Sequence, residues 1–432
     1  MTTQWRAEAL KYEDALLTDL KEMLAIKSVR DDEAATEDAP LGPGPKEALL
    51  KFEEFAKRDG FRVGNYKNLV AYAELGPEDA DETGAIIGHL DVMPAGDGWT
   101  KDPWSPVIED GRLYARGASD DKGPSFTAYY AMKMIKDLNL DLKRKLVLVV
   151  GIDEESDWTG MDDFFEEYGM PTMGFSPDAE FPIINGEKGN VSIVTRFAGT
   201  QGGSLKLVSF SAGSRPNMVP GTAVAVVEAA DTAALVSAMD AYLAAEKRVK
   251  GEAKVDGNQV TFTFYGKQVH GAMPETGENA GTYLANFLQD QDFGGNAKGF
   301  LTFLGTQLHD DTVAEKIGAK THDDLMHDLS MNVGIQRFTD GEDGFVNANF
   351  RYPQNTTAEE IEGHVASSLP AGFDATAKQE GHAQVPHYVP GDDPLVKTLL
   401  QVYREQTGLP AGEQVIGGGT FGRLLKRGVA FG

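Results

Sequence analysis

The sequence predicts an α/β fold, with a mostly parallel sheet flanked by helices and an inserted α+β unit. Three observations carry this. Strand-type and helix-type periodicities alternate through the first part of the chain. The segment KLVLVVGI at 145–152 is an unbroken apolar run, the pattern of a strand covered on both faces. From about Glu187 the texture changes to shorter alternating stretches separated by helical segments. A chain of 432 residues exceeds one ordinary core, so two domains are expected. We expect residues 1–186 and 384–432 to form one and residues 187–383 to be inserted into it.

Taken in order, residues 11–27 place Leu16, Leu17, Leu20, Met23 and Leu24 at helical spacing, which predicts an amphipathic helix. Segments 68–75 and 84–92 read as strands, 124–138 as a helix, and 145–152 as the buried strand. In the middle region VSIVTRFAG, LKLVSFSAG and NQVTFTFYG read as strands and 232–250 as a helix. Segment 394–407 is again helical, and GGGTFGRLLKRGVAFG runs from a glycine turn through a short helix into an apolar strand that returns to the first domain.

Composition excludes several functions. The 67 acidic against 40 basic residues give a formal net charge of -27, which disfavours a phosphate-binding surface and so a nucleic-acid partner. The absence of cysteine rules out disulfides, thiolate metal ligands and a cysteine nucleophile. A bound metal must therefore be held by His, Asp or Glu. The opening segment lacks the basic-then-apolar pattern of a secretory signal, and no apolar run approaches the roughly 20 residues of a membrane span, so a cytoplasmic protein without a membrane partner is expected.

Four motifs carry chemistry. His89-Leu90-Asp91 closes the strand GAIIGHLDV. Residues two apart share a strand face, so Asp91 can engage one ring nitrogen of His89 while the other faces a metal. Alone, such a histidine reads more often as structural, and the next two motifs reverse that reading. ASDDKGP at 118–124 places Asp120 and Asp121 directly before a helix, where acids also serve as plain caps. Asp153-Glu154-Glu155 follows the buried strand, concentrating negative charge at the carboxyl edge of the sheet. FSPDAE places Asp178 and Glu180 after another apolar stretch. One His and several carboxylates on separate strand ends suit two divalent ions, one acid bridging them and one left free to shuttle protons.

In this order the motifs resemble the di-zinc metallopeptidase family that contains aminoacylase, carnosinase, carboxypeptidase G and succinyl-diaminopimelate desuccinylase. Within it, RGASDDKGPSFTAYYAMK, DEESDW, FSPDAEFPIINGEKG, PHYVPGDDPLV and GGGTFGRLLKRGVAFG are similar to PepV-type dipeptidases. The resemblance implies a catalytic domain carrying the metals and an inserted lid domain. It implies that His89 and Asp178 hold one zinc, that Asp120 bridges, that Glu155 binds the second, that Asp91 supports His89, and that Glu154 is the general base. It further implies substrate roles for Asn217, His270, Arg351, Gly418 and Gly419. His270 would donate to the oxyanion of the tetrahedral intermediate and Arg351 would pair with the substrate carboxylate. Short peptides are the implied substrates, and a monomer is implied by the length of the middle region.

The same resemblance places a further histidine ligand of the second metal beyond the position of Gly432, so that the second site is expected to be incomplete and the molecule a shortened form of a complete enzyme rather than a natural fragment. His382 and His387 precede the GGGT turn and do not substitute. HDDLMH at 322–327 reads as a decoy inside a charged helical stretch. The leading expectation is a zinc-dependent dipeptidase acting on unblocked dipeptides and some tripeptides. The alternatives are an N-acyl-amino-acid deacylase or carboxypeptidase, and a catalytically silent metal- or peptide-binding protein.

Overall fold

The computed structural model describes residues 4–381 and 383–432. These fall into two compact units. One holds the chain up to Gly186 together with Tyr388–Gln414 and Gly419–Gly432; the other holds Glu187–His387 and Val415–Gly418. His382 lies outside the described residues.

In the first unit, helices α1 (Glu13–Ala25) and α2 (Pro43–Arg58) precede strands β1 (Arg62–Tyr66), β2 (Val70–Leu75) and β3 (Thr83–His89). Helix α3 (Lys122–Asp137) leads into β4 (Lys145–Gly151), helix α4 (Met161–Tyr168) and β5 (Met173–Ser176). With the final strand Gly428–Ala430 they form a six-stranded sheet in the order β1, β2, β4, β3, β5, then that final strand. The pairs β3–β4, β3–β5 and β5 with the final strand are parallel, whereas β1–β2 and β2–β4 are antiparallel. The sheet is thus parallel where the acids emerge and antiparallel only toward one edge.

The apolar run places β4 inside the sheet, with Val147, Leu148, Val149 and Val150 fully buried. Leu20, Met23 and Leu24 of α1, Phe52 and Phe55 of α2, and Phe126 and Tyr129 of α3 complete the same core. Because neighbouring parallel strands run in one direction, the chain leaves β3, β4 and β5 at one edge. His89, Asp153 to Glu155 and Asp178 therefore emerge together.

The second unit has an eight-stranded sheet whose pairings are all antiparallel. Its strands include β6 (Gly189–Ala198), β7 (Lys206–Ala212), β8 (Thr222–Glu228), β9 (Lys250–Asp256), β10 (Gln259–Tyr265), β11 (Ser330–Thr339) and β12 (Gly344–Tyr352). Helices α5 (Thr232–Ala245) and α6 (Ala280–Leu288) contribute Leu235, Met239, Leu284 and Phe287 to its core.

Two local expectations are corrected. The helix expected over 232–250 ends at Ala245, and Lys250 already opens β9. HDDLMH is not helical: His322–Asp323 pairs antiparallel with His327–Asp328 as a small hairpin. The Asp323 side chain accepts the N–H groups of Leu325 and Met326, a local bond that turns the chain in place of a helical ladder. His327 takes the left-handed conformation at φ 61°.

Candidate metal centre

His89, the last residue of β3, is completely buried. Its Nδ1 lies 3.0 Å from the backbone oxygen of Asp91 and 3.3 Å from Asp91 Oδ1. Its Nε2 lies 3.1 Å from Asp120 Oδ1 and 3.7 Å from Asp178 Oδ2, yet makes no hydrogen bond. The alternation of the strand thus places Asp91 behind the ring and leaves Nε2 aimed at acids from two other loops.

Asp91 also organises the loop after β4. Its two carboxylate oxygens accept the backbone N–H groups of Glu154 and Glu155, each at 3.1 Å. On the far side of that loop the buried Asp153 accepts Arg30 Nη1 at 3.0 Å and the Thr159 N–H at 3.0 Å. Arg30 reaches Asp157 as well, at 2.7 Å. The acidic loop is therefore held from both ends by charge-assisted hydrogen bonds.

The paired acids before α3 divide their work. Asp121 is buried, and its Oδ2 accepts Ser125 Oγ at 2.6 Å and the His89 N–H at 3.1 Å. Asp120, joined to it by a cis peptide bond, is the acid that approaches His89 Nε2. This close approach of α3 to β3 requires Gly88, where a Cβ would lie 2.0 Å from Ser125 Oγ and 2.6 Å from Asp121 Oδ2. The adjacent Lys122 is fully buried and donates to the carbonyls of Met23 at 3.0 Å and Ile26 at 2.8 Å, at the end of α1. Burial pushes its ammonium down to about 7.

His89, Glu154 and Asp178 each bring one ligand atom within 4.8 Å of the others, a group able to hold a metal ion. The electrostatics fit a cation. Burial, reinforced by Asp178, Asp91 and Glu155, pushes the Glu154 carboxyl well above its usual range, although His89 opposes the shift. Burial and Asp120 push Glu155 up to about 7. Burial disfavours a charged His89, yet Asp120, Asp178 and Asp91 outweigh it and raise the ring well above its ordinary value. A carboxylate pair about 4 Å apart repels by roughly 4 kcal/mol at an effective dielectric near 20. Protonation relieves that repulsion in the metal-free cluster, and a bound cation would instead let the carboxyls ionise.

The second unit assembles a separate group. Segments 217–219 and 269–271 pair through Val219 N–H to Val269 O at 2.9 Å and Gly271 N–H to Asn217 O at 2.7 Å, with Met218 opposite His270. His270 Nδ1 accepts the Ala272 N–H at 3.2 Å. A backbone N–H can only donate, so the neutral ring carries its proton on Nε2. Burial and the nearby positive charge of Arg351 lower the pKa of His270 and favour that neutral form. A Cβ placed on Gly417 would lie 3.5 Å from Ala272 Cβ and 3.9 Å from Arg351 Cγ, so the glycine turn lies beside both. Gly418 belongs to this unit, whereas Gly419 belongs to the first.

Among the expected site residues, His89, Asp91, Asp120, Glu154, Glu155 and Asp178 gather at one sheet edge, and Asn217, His270 and Arg351 gather in the other unit, to which Gly418 also belongs. The supports Arg30, Ser125 and Lys122 carry no signal in the sequence, because their partners are distant or buried groups. Arg30 lies over 120 positions from Asp153, and only the fold joins them.

Residues 85–432 match the model of peptidase family M20/M25/M40. The chain belongs to this peptidase family. It is therefore a peptide hydrolase of a metal-binding family. It is 42% identical over 428 residues to the Beta-Ala-Xaa dipeptidase of Lactobacillus delbrueckii subsp. lactis, covering 99% of this chain and 89% of the relative. It is 40% identical over 438 residues to a protein of Staphylococcus haemolyticus that carries a dipeptidase name, covering 99% of this chain and 91% of that one. Human carnosine dipeptidase 1 shares the fold, with a TM-score of 0.57, 16% identity, and 98% and 89% of the two chains covered. The dipeptidase Dug1p of Saccharomyces cerevisiae shares it at a TM-score of 0.56, with 15% identity and 96% and 87% covered.

Proposed function

We propose that this member of the family is a zinc-dependent dipeptidase that hydrolyses unblocked dipeptides and some tripeptides. The observation that carries the reading is the buried His89 Nε2, without a hydrogen bond, facing Asp120 and Asp178 beside the buried Glu154. The similarity to the Beta-Ala-Xaa dipeptidase supports the choice of substrate.

In this reading His89 and Asp178 would hold one ion, and Asp120 and Glu155 would contribute to holding a second. A divalent ion bound there would polarise a peptide carbonyl and acidify water. Glu154 is the general base: its carboxylate takes a proton from the attacking water and returns it to the leaving amine, for which a raised pKa suits it. Asp91 fixes the ring of His89 and the backbone of the acidic loop. The first unit is then the catalytic domain and the second the lid domain. His270, neutral with Nε2–H free to donate, stabilises the oxyanion; Arg351 pairs with the substrate carboxylate; Asn217, Gly418 and Gly419 line the substrate's path. We extend the proposal to a cytoplasmic monomer, which cell fractionation and size-exclusion chromatography test.

The deciding experiment compares hydrolysis of a free dipeptide with its N-acetylated form, after chelation and after zinc is restored. Zinc-restored cleavage of the free dipeptide alone supports the dipeptidase. Cleavage of the blocked form replaces it with a deacylase.

A further inference from the structure

We infer that Asn332 is a positioning residue that sets Asn217 and His270 in place, an inference that rests on the substrate roles proposed above. Asn332 lies on β11 and is 2% exposed. Its Nδ2 donates to the carbonyl of Pro216 at 2.6 Å and to that of Met218 at 3.0 Å, the two residues flanking Asn217. Both partners are carbonyl oxygens, so the amide nitrogen must be the atom facing them. One buried side chain thus clamps the carbonyl groups of the two residues on either side of Asn217.

The clamp extends to His270. Segment 217–219 is the strand against which 269–271 pairs, and Gly271 donates to Asn217 O at 2.7 Å. A Cβ on Gly271 would lie 2.9 Å from Asn332 Nδ2 and 2.9 Å from the Asn217 carbonyl carbon, so the two backbones and the Asn332 side chain meet without spare room. The same strand carries the preceding turn. A register shift between Val333 and Ile335 sets Gly334 where a Cβ would lie 2.5 Å from Pro216 O, and Arg337 donates to Ala212 O at 2.6 Å and also to Gly213 O. Register places Ser330 opposite Arg351 and Asn332 opposite Asn349, so Asn332 and Arg351 are diagonal neighbours on one sheet face. A single rigid strand therefore sets the spacing of Asn217, His270 and Arg351.

The test uses the zinc-loaded protein and a free dipeptide, with Asn332→Ala, His270→Ala and the double variant. We expect Asn332→Ala to lower kcat by about 30-fold with KM within about twofold, since misplacement of about 1 Å can cost ~100-fold. We expect the loss in the double variant to fall well short of the product of the two single losses, because Asn332 acts in part through the His270 side chain. We also expect amide exchange over 215–220 and 268–273 to accelerate while the remainder of the second unit stays protected. Fully additive losses, or a folded Asn332→Ala with wild-type kcat and exchange, would overturn the inference. If Asn332→Ala does not fold, Gly271→Ala must show the same local exchange and the same lack of additivity with His270→Ala; additivity there overturns it equally. Wild-type kcat in His270→Ala alone sinks the underlying substrate reading instead, and takes the inference with it.

Discussion

Asp91 Oδ1 accepts the backbone N–H of Glu154 at 3.1 Å, while the same oxygen lies 3.3 Å from His89 Nδ1. One carboxylate thus ties the histidine at the end of β3 to the acid at the end of β4. Asp91→Ala releases both. Loss of such a supporting partner typically costs 10–100-fold in metal affinity, and we expect zinc affinity to fall by about that factor. A competition titration against a chromophoric chelator measures it. Unchanged affinity would show that the Asp91 backbone oxygen alone, 3.0 Å from His89 Nδ1, suffices to orient the ring.

Glu154 and Glu155 are adjacent, and their roles separate by experiment. Glu154→Ala should reduce kcat by roughly 100- to 10,000-fold, the usual contribution of a general base, while zinc content stays nearly intact. Metal analysis by mass spectrometry reads the second quantity. Glu154, rather than Glu155, lies within 4.8 Å of the ligand atoms of His89 and Asp178, which makes this test sharp. Loss of metal in Glu154→Ala with retention in Glu155→Ala would exchange the two assignments.

How much of this centre the chain order reveals depends on which bonds are local. His89 and Asp91 share a strand face by simple alternation, and the acids after KLVLVVGI follow from a buried parallel strand ending at the ligand edge. The division between Asp120 and Asp121 is different, because it depends on Ser125 one helical turn later and on the His89 N–H from another strand. Lys122 looks like a solvated charge in DDKG, yet it is fully buried because the carbonyls of Met23 and Ile26 receive its ammonium. The error at HDDLMH has a local cause: Asp323 bonds its own following backbone, and charge spacing alone does not reveal that competition.

His270→Ala should lower kcat by about 100- to 1,000-fold, more than it raises KM, because the bond from Nε2–H strengthens only in the transition state. Arg351 contributes to depressing the His270 pKa, so Arg351→Ala should raise it toward the ordinary value. An NMR titration of the ring protons follows that shift directly. A ring pKa unmoved by loss of Arg351 would leave burial, the larger cause, as the sole one. Unchanged kcat in His270→Ala would return the residue to a structural role.

Acid stability should report the junction between α2 and α3. Asp59 receives Arg58 Nη2 at 2.7 Å and Tyr129 OH at 2.6 Å, and Lys133 Nζ approaches at 3.3 Å. Burial alone would raise its pKa, but these donors and cations hold the carboxyl down at about 2. The folded value lies below the unfolded one, so the contribution is present above about pH 4 and is lost as pH falls through about 2. After allowance for solvent screening of this partly exposed group we expect on the order of 1 kcal/mol. Urea unfolding of wild type and Asp59→Asn should differ by that amount from about pH 5 to 7, with the gap narrowing steadily between about pH 4 and 2. A gap that stays constant down to about pH 2 would mean that the carboxylate's ionisation is not coupled to folding.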